Sequence, residues 1–249
     1  MSHKAGETLA QTVAGFLSIN IKKSFAMRRS YDKWAWKQIF ADKKRKICIN
    51  GQRFRVVEHA AVGSDLAVAR FVVETLHGRV KNETGKWITK YQELPSDYCD
   101  SFKLTGIDAS KVGLVTEGID NFVGLDHLET LDLSGNPYLD DFACDQLSRQ
   151  FRNSQTLNSI NLSHNPLISV YGLEILLRIP SLQDIIARKT QASKFADIDL
   201  FALAAEDECG CNIFVHDDGR QYKLQELENL RTTKNTKLES GLGKKLIST

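Results

Sequence analysis

One arrangement of apolar and polar positions recurs along the middle of the chain. In residues 128–136 and 157–165, Leu or Ile fills the first, fourth and sixth positions of the frame Leu-x-x-Leu-x-Leu-x-x-Asn, and Asn closes it. Looser copies begin at residues 104 and 182 and lack the asparagine. Such repetition is typical of stacked units, each of which completes its apolar core with its neighbours.

The spacing of the copies indicates the kind of repeat. Successive copies start 24, 29 and 25 residues apart, which lies within the range of leucine-rich repeats. Each copy predicts a short strand and a tight turn, with Leu and Ile pointing inward and the Asn side chain satisfying backbone groups at the turn. The outer copies, with Val112 and Thr190 in place of Asn, suit the ends of an array. We therefore predict an α/β fold, a short leucine-rich-repeat solenoid of about four strand–helix repeats.

The segments between the copies have the apolar spacing of helices and should line the convex side of the solenoid. They are TEGIDNFVGL before Asp126, DDFACDQLSRQF with Phe142, Leu147 and Phe151, and VYGLEILLRI ending at Pro180. A strand-like run at residues 211–217 should close the array. Residues 101–217 thus form the predicted repeat domain, and the polar, Lys-rich residues 218–249 are predicted to be a flexible or partner-bound tail.

The region before the repeats predicts an N-terminal α/β cap over residues 31–100. Residues 63–78 are apolar around most of a helix surface, with Ser64 as a candidate N-cap and Gly78 as a left-handed C-terminal residue. Two strand-like pieces follow, joined by a turn at residues 82–85. A cap of this size buries little apolar surface alone, so we expect it to pack on the repeats.

Composition and charge predict a targeting segment at the start of the chain. The 249-residue chain is 42% hydrophobic and 26% charged, ordinary for a globular protein, and no apolar run is long enough to span a membrane. Its net charge is only +2, but residues 1–31 hold five Lys or Arg and a single acid, Glu7. A basic amphipathic start is typical of a mitochondrial transit peptide, which we predict over residues 1–30 with cleavage near Tyr31. The alternative is a plain disordered basic tail.

The five cysteines indicate reduced thiols. Their odd number, with no secretory signal, argues against a disulfide framework and favours an intracellular compartment. Cys209 and Cys211 flank Gly210, but no second pair and no histidine cluster accompanies them as a zinc site would require. Two small buried residues on either side of a turn are the preferred interpretation.

The residues between the inward-facing positions should form three columns on the exposed face of the sheet. This face is small, polar and slightly acidic, and it offers one Arg and no Lys, which argues against nucleic acid as a partner. Asp108 and Asp132 should lie on neighbouring strands about 4.8 Å apart, so a basic partner segment or a bound cation would stabilise them; alternatively, both are simply solvated. The columns are Gly106, Thr130, Ser159 and Asp184; Asp108, Asp132, Asn161 and Ile186; and Ser110, Ser134, Ser163 and Arg188. The candidate partner-binding residues are Asp108, Asp132, Ser134, Asn161 and Ser163.

The sequence contains no catalytic signature. There is no P-loop, no G-x-S-x-G, no H-E-x-x-H and no dinucleotide fingerprint. The six histidines fall in unrelated contexts: His164 lies in the turn SHNP, where a surface residue is expected, and His216 is followed by two aspartates in a run too short to define a metal site. We therefore predict that the chain is not an enzyme.

Several blocks of sequence together resemble a mitochondrial family. In order they are a buried helix ending in Gly78, the hairpin GRVKNETGKWI, a Leu-Pro connector, IDAS, TEGIDNFVGLDHLETLDL and YLDD. They resemble the leucine-rich-repeat family that holds ATP synthase subunit s (coupling factor B) and its paralogue, the distal membrane arm assembly component of respiratory complex I. The resemblance runs over residues 63–190, and EGIDN, GKWI and the chain length look closer to the complex I component.

The resemblance implies a non-enzymatic assembly factor for the distal membrane arm of complex I. Such a protein would lie peripherally on the matrix side of the mitochondrial inner membrane and bind respiratory complex subunits or assembly intermediates. The alternative within the family is a subunit-s-like coupling factor of the proton-transporting ATP synthase. A second alternative is a cytosolic leucine-rich-repeat adaptor, because the Asn-Pro turns at Asn136 and Asn165 are more regular than either branch leads us to expect.

The same resemblance implies one cofactor, Mg²⁺. In the subunit s branch main-chain oxygens bind this ion, and the matching positions in this sequence are Gly78 and Ser110, with Ser in place of a Thr. A main-chain ligand does not depend on the side chain, so that replacement is compatible with a site. Two protein ligands would also suit magnesium, which keeps much of its hydration.

Overall fold

The computed structural model describes residue 39 and residues 42–216. The predicted transit peptide and the predicted tail lie outside these described residues. The chain divides into two units, residues 1–47 and residues 48–249, and the sheet and its helices belong to the second. Residues 42–51 are helical.

A seven-stranded sheet organises the fold, in the order β2-β1-β3-β4-β5-β6-β7. Strands β3 to β7 are parallel to one another, whereas β1 and β2 form an antiparallel hairpin that pairs with β3. The strands are β1 Arg79–Asn82, β2 Trp87–Ile88, β3 Leu104–Asp108, β4 Thr130–Asp132, β5 Ser159–Asn161, β6 Asp184–Ile186 and β7 Asn212–Phe214. Four parallel strands match the four predicted copies, and the run at residues 211–217 supplies the fifth, as predicted.

The register of the parallel strands confirms two of the three predicted columns. Gly106, Thr130, Ser159 and Asp184 pair in one row, and Asp108, Asp132, Asn161 and Ile186 pair two residues further on. The residues between these rows alternate to the other side and are buried: Ile107, Leu131, Ile160 and Ile185. The sheet therefore buries its apolar face under the helices and leaves the two rows on what we call the open sheet face.

The helices cover the apolar side of the sheet. They are α1 Val56–Val62, α2 Ser64–Arg70, α3 Asp141–Gln150, α4 Val170–Leu176 and α5 Ile198–Cys209, with 3₁₀ turns at Tyr91–Glu93, Thr116–Phe122 and Ala192–Lys194. The predicted first interrepeat helix is thus a 3₁₀ segment. Asp140 and Ser169 accept hydrogen bonds from the amides of Ala143 and Tyr171 and so cap α3 and α4. The topology is consistent with a short leucine-rich-repeat type of fold.

The segment at residues 63–78 differs from the prediction at both ends. Ser64 is the first helical residue and not an N-cap, and α2 passes into a π-helical turn at Phe71–Thr75. The left-handed residue is His77, with φ 57°, rather than Gly78. Gly78 is required for a different reason, because a Cβ atom there would lie 2.6 Å from the main-chain oxygen of Asp108.

Buried asparagines link consecutive repeats, as the frame predicts. The Oδ1 atom of Asn136 accepts from the amide of Leu114, and its Nδ2 donates to the carbonyls of Ala109 and Leu133. Asn165 Oδ1 accepts from the Asn136 amide at 2.6 Å. Because both side chains are fully buried, these bonds satisfy backbone groups that water cannot reach. The turn therefore ties each repeat to the one before it.

The residue before each asparagine position has left-handed backbone geometry. Lys111, Gly135, His164 and Lys189 have φ values of 57°, 71°, 62° and 54°. These four residues occupy the same place in successive repeats. His164, which is exposed, is therefore part of the tight turn itself.

The Cys209–Cys211 segment is partly as predicted. Gly210 is left-handed, with φ 69°, and ends α5 as a turn residue. Cys211 is buried at 2% exposure, whereas Cys209 is exposed. The prediction that both thiols are buried is wrong for Cys209, because the helix C-terminus turns it outward.

Candidate functional site

The open sheet face presents side chains that are fixed by the turns beside them. The Oδ1 atoms of Asp108, Asp132 and Asn161 accept hydrogen bonds from the amide two residues later, at 3.0, 2.9 and 3.1 Å. Each strand end thus forms the same Asx turn. The second side-chain heteroatom of each residue is directed along the row, where it can bind a neighbour or a partner.

Both carboxylates in this row have hydrogen-bond partners within the chain. Arg79 Nε lies 2.7 Å from Asp108 Oδ2, and Asn161 Nδ2 donates to Asp132 Oδ2 at 3.1 Å. Burial would raise the pKa of Asp108, but hydrogen bonds from Ser110 and Arg79, with the Arg79 charge, outweigh it and lower that pKa below its ordinary value. Asp108 therefore has a cation within the chain, whereas neutral donors alone bind the Asp132 carboxylate.

Arg79 and Trp87 form a wall at one end of the open sheet face. The Arg79 guanidinium lies 4.8 Å from the centre of the Trp87 ring, and Trp87 is 39% exposed. Beside this wall is a shallow depression of about 270 Å³ that runs past Thr130 to Ile186. Trp and Arg side chains are enriched at protein–protein interfaces relative to the rest of the protein surface.

The predicted partner-binding residues do not all reach this surface. Asp108, Asp132 and Asn161 lie side by side and are half-buried, and Ser134 is half-buried beyond them. Ser163, by contrast, is 7% exposed, and its hydroxyl accepts from the amide of Arg188. Ser163 is therefore not available to a partner, because the next repeat covers it.

Arg79 and Trp87 are not among the site residues that the sequence predicts. Both belong to the hairpin, which the sequence places in a separate cap, whereas the hairpin extends the same sheet by pairing β1 with β3. Asn82 Oδ1 accepts from the hydroxyl of Thr84 and the amide of Lys86, which fixes the turn. The turn signal is present in the sequence; the pairing of the hairpin with the first repeat is not.

Gly78 and Ser110, the candidate magnesium ligands, lie at the same end of paired strands. Arg79 pairs with Asp108, so Gly78 and Ser110 lie one and two residues beyond this pair. Both residues are half-buried, and the Asp108 carboxylate beside them accepts from the Ser110 amide. Mg²⁺ takes oxygen ligands and keeps much of its hydration. The Asp108 carboxylate is already paired with Arg79, so the main-chain oxygens of Gly78 and Ser110 stay the candidate ligands.

Other candidate sites have less support from the geometry. His216 Nε2 lies 2.9 Å from Asp199 Oδ1, while the aspartates that follow His216 lie outside the described residues. Over the described part of the chain, no group of three or more His, Cys, Asp or Glu side chains is arranged to bind a metal. Among residues 42–216, no helix combines the length and apolar content needed to cross a membrane.

Comparison with known proteins identifies partial relatives. No protein-family model matches the chain. It is similar to mitochondrial ATP synthase subunit s of Rattus norvegicus and of Mus musculus, at 34% identity over 64 residues in each case. These matches cover 26% of this chain and 32% of each relative, so the chain spans about a third of the length of the relatives it matches. Subunit s of Pongo abelii is 25% identical over 127 residues, or 49% of this chain and 61% of that protein.

These relatives are relevant to the choice between the two branches of the family that the sequence resembles. The chain has partial similarity to mitochondrial ATP synthase subunit s, which supports the alternative within the family. They give no support to the expectation that the complex I assembly component is the nearer branch. Among solved structures, the leiomodin-1 actin-binding site 2 matches with TM-score 0.40 and 12% identity, covering 58% of this chain and 89% of that one. The tropomodulin C-terminal domain of Caenorhabditis elegans matches with TM-score 0.36 and 16% identity, covering 51% and 80%.

Proposed function

We propose that the chain is a non-enzymatic, subunit-s-like protein that binds components of the mitochondrial ATP synthase through its open sheet face. The observation that carries this proposal is the row of fixed polar groups on β3, β4 and β5, flanked by Arg79 and Trp87. These groups are ordered before a partner arrives, which lowers the entropic cost of binding. The partial similarity to subunit s supports the choice of partner.

The composition of the face favours a protein ligand. The depression beside Trp87 is shallow, at about 270 Å³, and below the usual volume of a small-molecule site. It combines an aromatic anchor with acceptors that could receive donors from a partner's side chains or backbone. The proposed location is the matrix side of the mitochondrial inner membrane, where the ATP synthase would be accessible.

A co-purification experiment tests the proposed partner. The full chain, tagged at its C-terminus, is expressed in cells, its location is determined by fractionation, and its partners are identified by mass spectrometry after mild detergent extraction. ATP synthase subunits should be enriched, and Thr130→Arg should remove them, because Thr130 is exposed in the middle of the open sheet face. Asn153→Arg adds the same side chain at an exposed position after α3 and should leave the enrichment unchanged.

The same experiment can reject the proposal. Enrichment of complex I membrane-arm subunits with no ATP synthase would favour the complex I assembly alternative. A chain that stays outside mitochondria would favour the cytosolic adaptor. Equal recovery of ATP synthase subunits with Thr130→Arg would show that another surface binds them.

The proposal includes a hydrated Mg²⁺ bound by the main-chain oxygens of Gly78 and Ser110. This ion would stabilise the contact between β1 and the end of β3 and so support the Arg79–Trp87 wall. Thermal unfolding of the full chain should shift to higher temperature with MgCl₂, relative to KCl at equal ionic strength. An unchanged unfolding temperature would exclude the ion from the proposal. The proposal that the open sheet face binds a protein would be unaffected.

A further inference from the structure

The layer of helices over the apolar side of the sheet is interrupted between α4 and α5. Helices α3 and α4 pack directly against each other, whereas α4 and α5 share no comparable interface within the described residues. An open cleft of about 760 Å³ separates them. We call it the α4–α5 cleft.

The floor and rim of the α4–α5 cleft are apolar. Leu177 and Phe201 are half-buried on its floor and pack on the core. Tyr171 and Phe195 lie at its rim and are 73% and 49% exposed. Large exposed aromatic side chains grouped around an apolar cleft mark an interaction site, because each loses contact with water when a partner covers it.

The charges around the α4–α5 cleft define the partner's chemistry. Glu174 of α4 and Glu208 of α5 lie on opposite sides, and Lys194 is the cation among the lining residues. All three side chains are exposed. Two carboxylates facing one ammonium group disfavour an anionic lipid headgroup or an acidic peptide. They favour a ligand with cations on both sides of an apolar surface.

We propose that the α4–α5 cleft binds an amphipathic helix of a partner protein, with Lys or Arg on both sides of its apolar stripe. The 12-residue helix α5 is about 18 Å long, so the ligand helix needs roughly three turns. Its apolar side chains contact Phe201, Tyr171 and Phe195, and its cations pair with Glu174 and Glu208. This mode is helix-in-groove recognition, and it uses the side of the fold opposite to the open sheet face.

Two synthetic peptides test the proposal directly. Both have about 14 residues with Leu at the same helical positions, one with Lys and the other with Glu at every remaining position. Fluorescence anisotropy of the labelled peptides with the full chain should give a Kd at least about tenfold lower for the Leu/Lys peptide. Equal affinity for the two peptides would overturn the assigned partner chemistry.

Aromatic variants locate the binding. Tyr171→Ala and Phe195→Ala should each raise the Kd of the Leu/Lys peptide at least about tenfold, as expected for exposed aromatic anchors. Phe142→Ala is the matched control, because Phe142 is 58% exposed and is the second residue of α3, as Tyr171 is of α4. The same loss in Phe142→Ala would show nonspecific binding to exposed aromatic residues and overturn the proposal.

Charge-reversal variants test whether the peptides bind in the α4–α5 cleft and not at another surface. The double variant Glu174→Lys with Glu208→Lys should invert the preference and bind the Leu/Glu peptide more tightly. Thr130→Arg should leave both affinities unchanged, so a failure of the cleft proposal is distinguishable from a failure of the proposed function. A dimer of the full chain that is lost in Phe195→Ala, or binding to anionic vesicles that is lost in that variant, would assign the cleft to a different occupant.

Discussion

Gln52 and Asn121 are hydrogen-bonded to each other across 69 residues of sequence, and both are buried. Asn121 Nδ2 donates to the main-chain oxygen of Gln52 at 3.0 Å. The Gln52 side chain in turn donates to the Gly113 carbonyl and accepts from the Val115 amide, at 3.0 and 2.9 Å. One side chain thus satisfies two backbone groups that follow the strand and turn of the first repeat. Gln52 acts as the cap of the array on its helical side.

Replacing this cap should destabilise the fold. Gln52→Leu removes the partners of the buried Val115 amide and the half-buried Gly113 carbonyl, at an expected total cost of about 2–3 kcal/mol. Gln92→Leu, at an exposed site, should change the free energy of unfolding by less than about 0.5 kcal/mol. Urea unfolding followed by circular dichroism measures both. Equal, small effects would show that Gln52 does not act as a cap.

Asn136 should contribute more to the free energy of unfolding than Thr190, which occupies the asparagine position in the copy that begins at residue 182. Asn136→Ala removes three hydrogen bonds to buried backbone groups and should cost about 3 kcal/mol. Thr190→Ala removes two, to the Ala187 carbonyl and from the Ser193 amide, and should cost about 1–2 kcal/mol. The order of the two costs is the test, measured by urea unfolding. The reverse order would mean that the second end of the array is the more tightly connected.

The repeat architecture was predictable from the sequence because each copy repeats the same local spacing of apolar residues. Leu131, Ile160 and Ile185 recur at a fixed place in each copy, and parallel strands of a solenoid pair copy with copy. The pairing of residues between neighbouring parallel strands could be predicted from this frame alone. Even the degenerate copies could be placed, because position in the frame and not residue type defines the strand.

The candidate site was less predictable because it depends on contacts between distant segments. Arg79 meets Asp108 only because the hairpin joins the sheet, a pairing that no periodicity encodes. Ser163 fits the exposed column by position, yet the next repeat covers it. Phe142 fits an amphipathic helix, yet it is 58% exposed. Local pattern predicts which face a residue is on, and the neighbouring element decides whether that face is open.

The Arg79–Asp108 pair should make stability depend on pH in the acid range. Because the pKa of Asp108 is lowered in the folded state, its contribution is present above the unfolded pKa, about 4, and is lost as pH falls through the folded pKa. Arg79→Met should therefore be less stable than the parent at pH 7, and the difference should shrink toward zero at low pH. Urea midpoints across this range provide the measurement.

A second arginine provides the control for this pH series. The Arg53 guanidinium donates to the uncharged amide of Asn50, so Arg53→Met should give a difference that does not change with pH. If Arg79→Met gave an equally constant difference, the effect of Arg79 would come from its packing on Trp87 and not from the Asp108 charge.

The cysteines should differ sharply in reactivity. Burial, with the nearby charges of Asp184 and Cys209, raises the pKa of Cys211 to about 12, so Cys211 is almost wholly protonated at pH 8. Burial likewise raises the pKa of Cys144. A maleimide at pH 8 should therefore label the exposed Cys209 well before Cys211 and Cys144, as read by peptide mass spectrometry. Similar rates for Cys209 and Cys211 would contradict this, and a Cys209→Ser variant confirms the assignment of the fast peptide.

Gly78 and Gly51 should respond in opposite ways to the same substitution. The Cβ of Gly78→Ala would lie 2.6 Å from the Asp108 oxygen and 3.0 Å from Val72 Cγ1, so β1 and β3 must separate, at an expected cost of about 2 kcal/mol. Gly51→Ala meets no atom within 4 Å and should be neutral or stabilising, because Ala restricts the unfolded chain. Chemical denaturation measures both changes. A neutral Gly78→Ala would show that the strand contact can yield, and that close approach to Asp108 does not require glycine at that position.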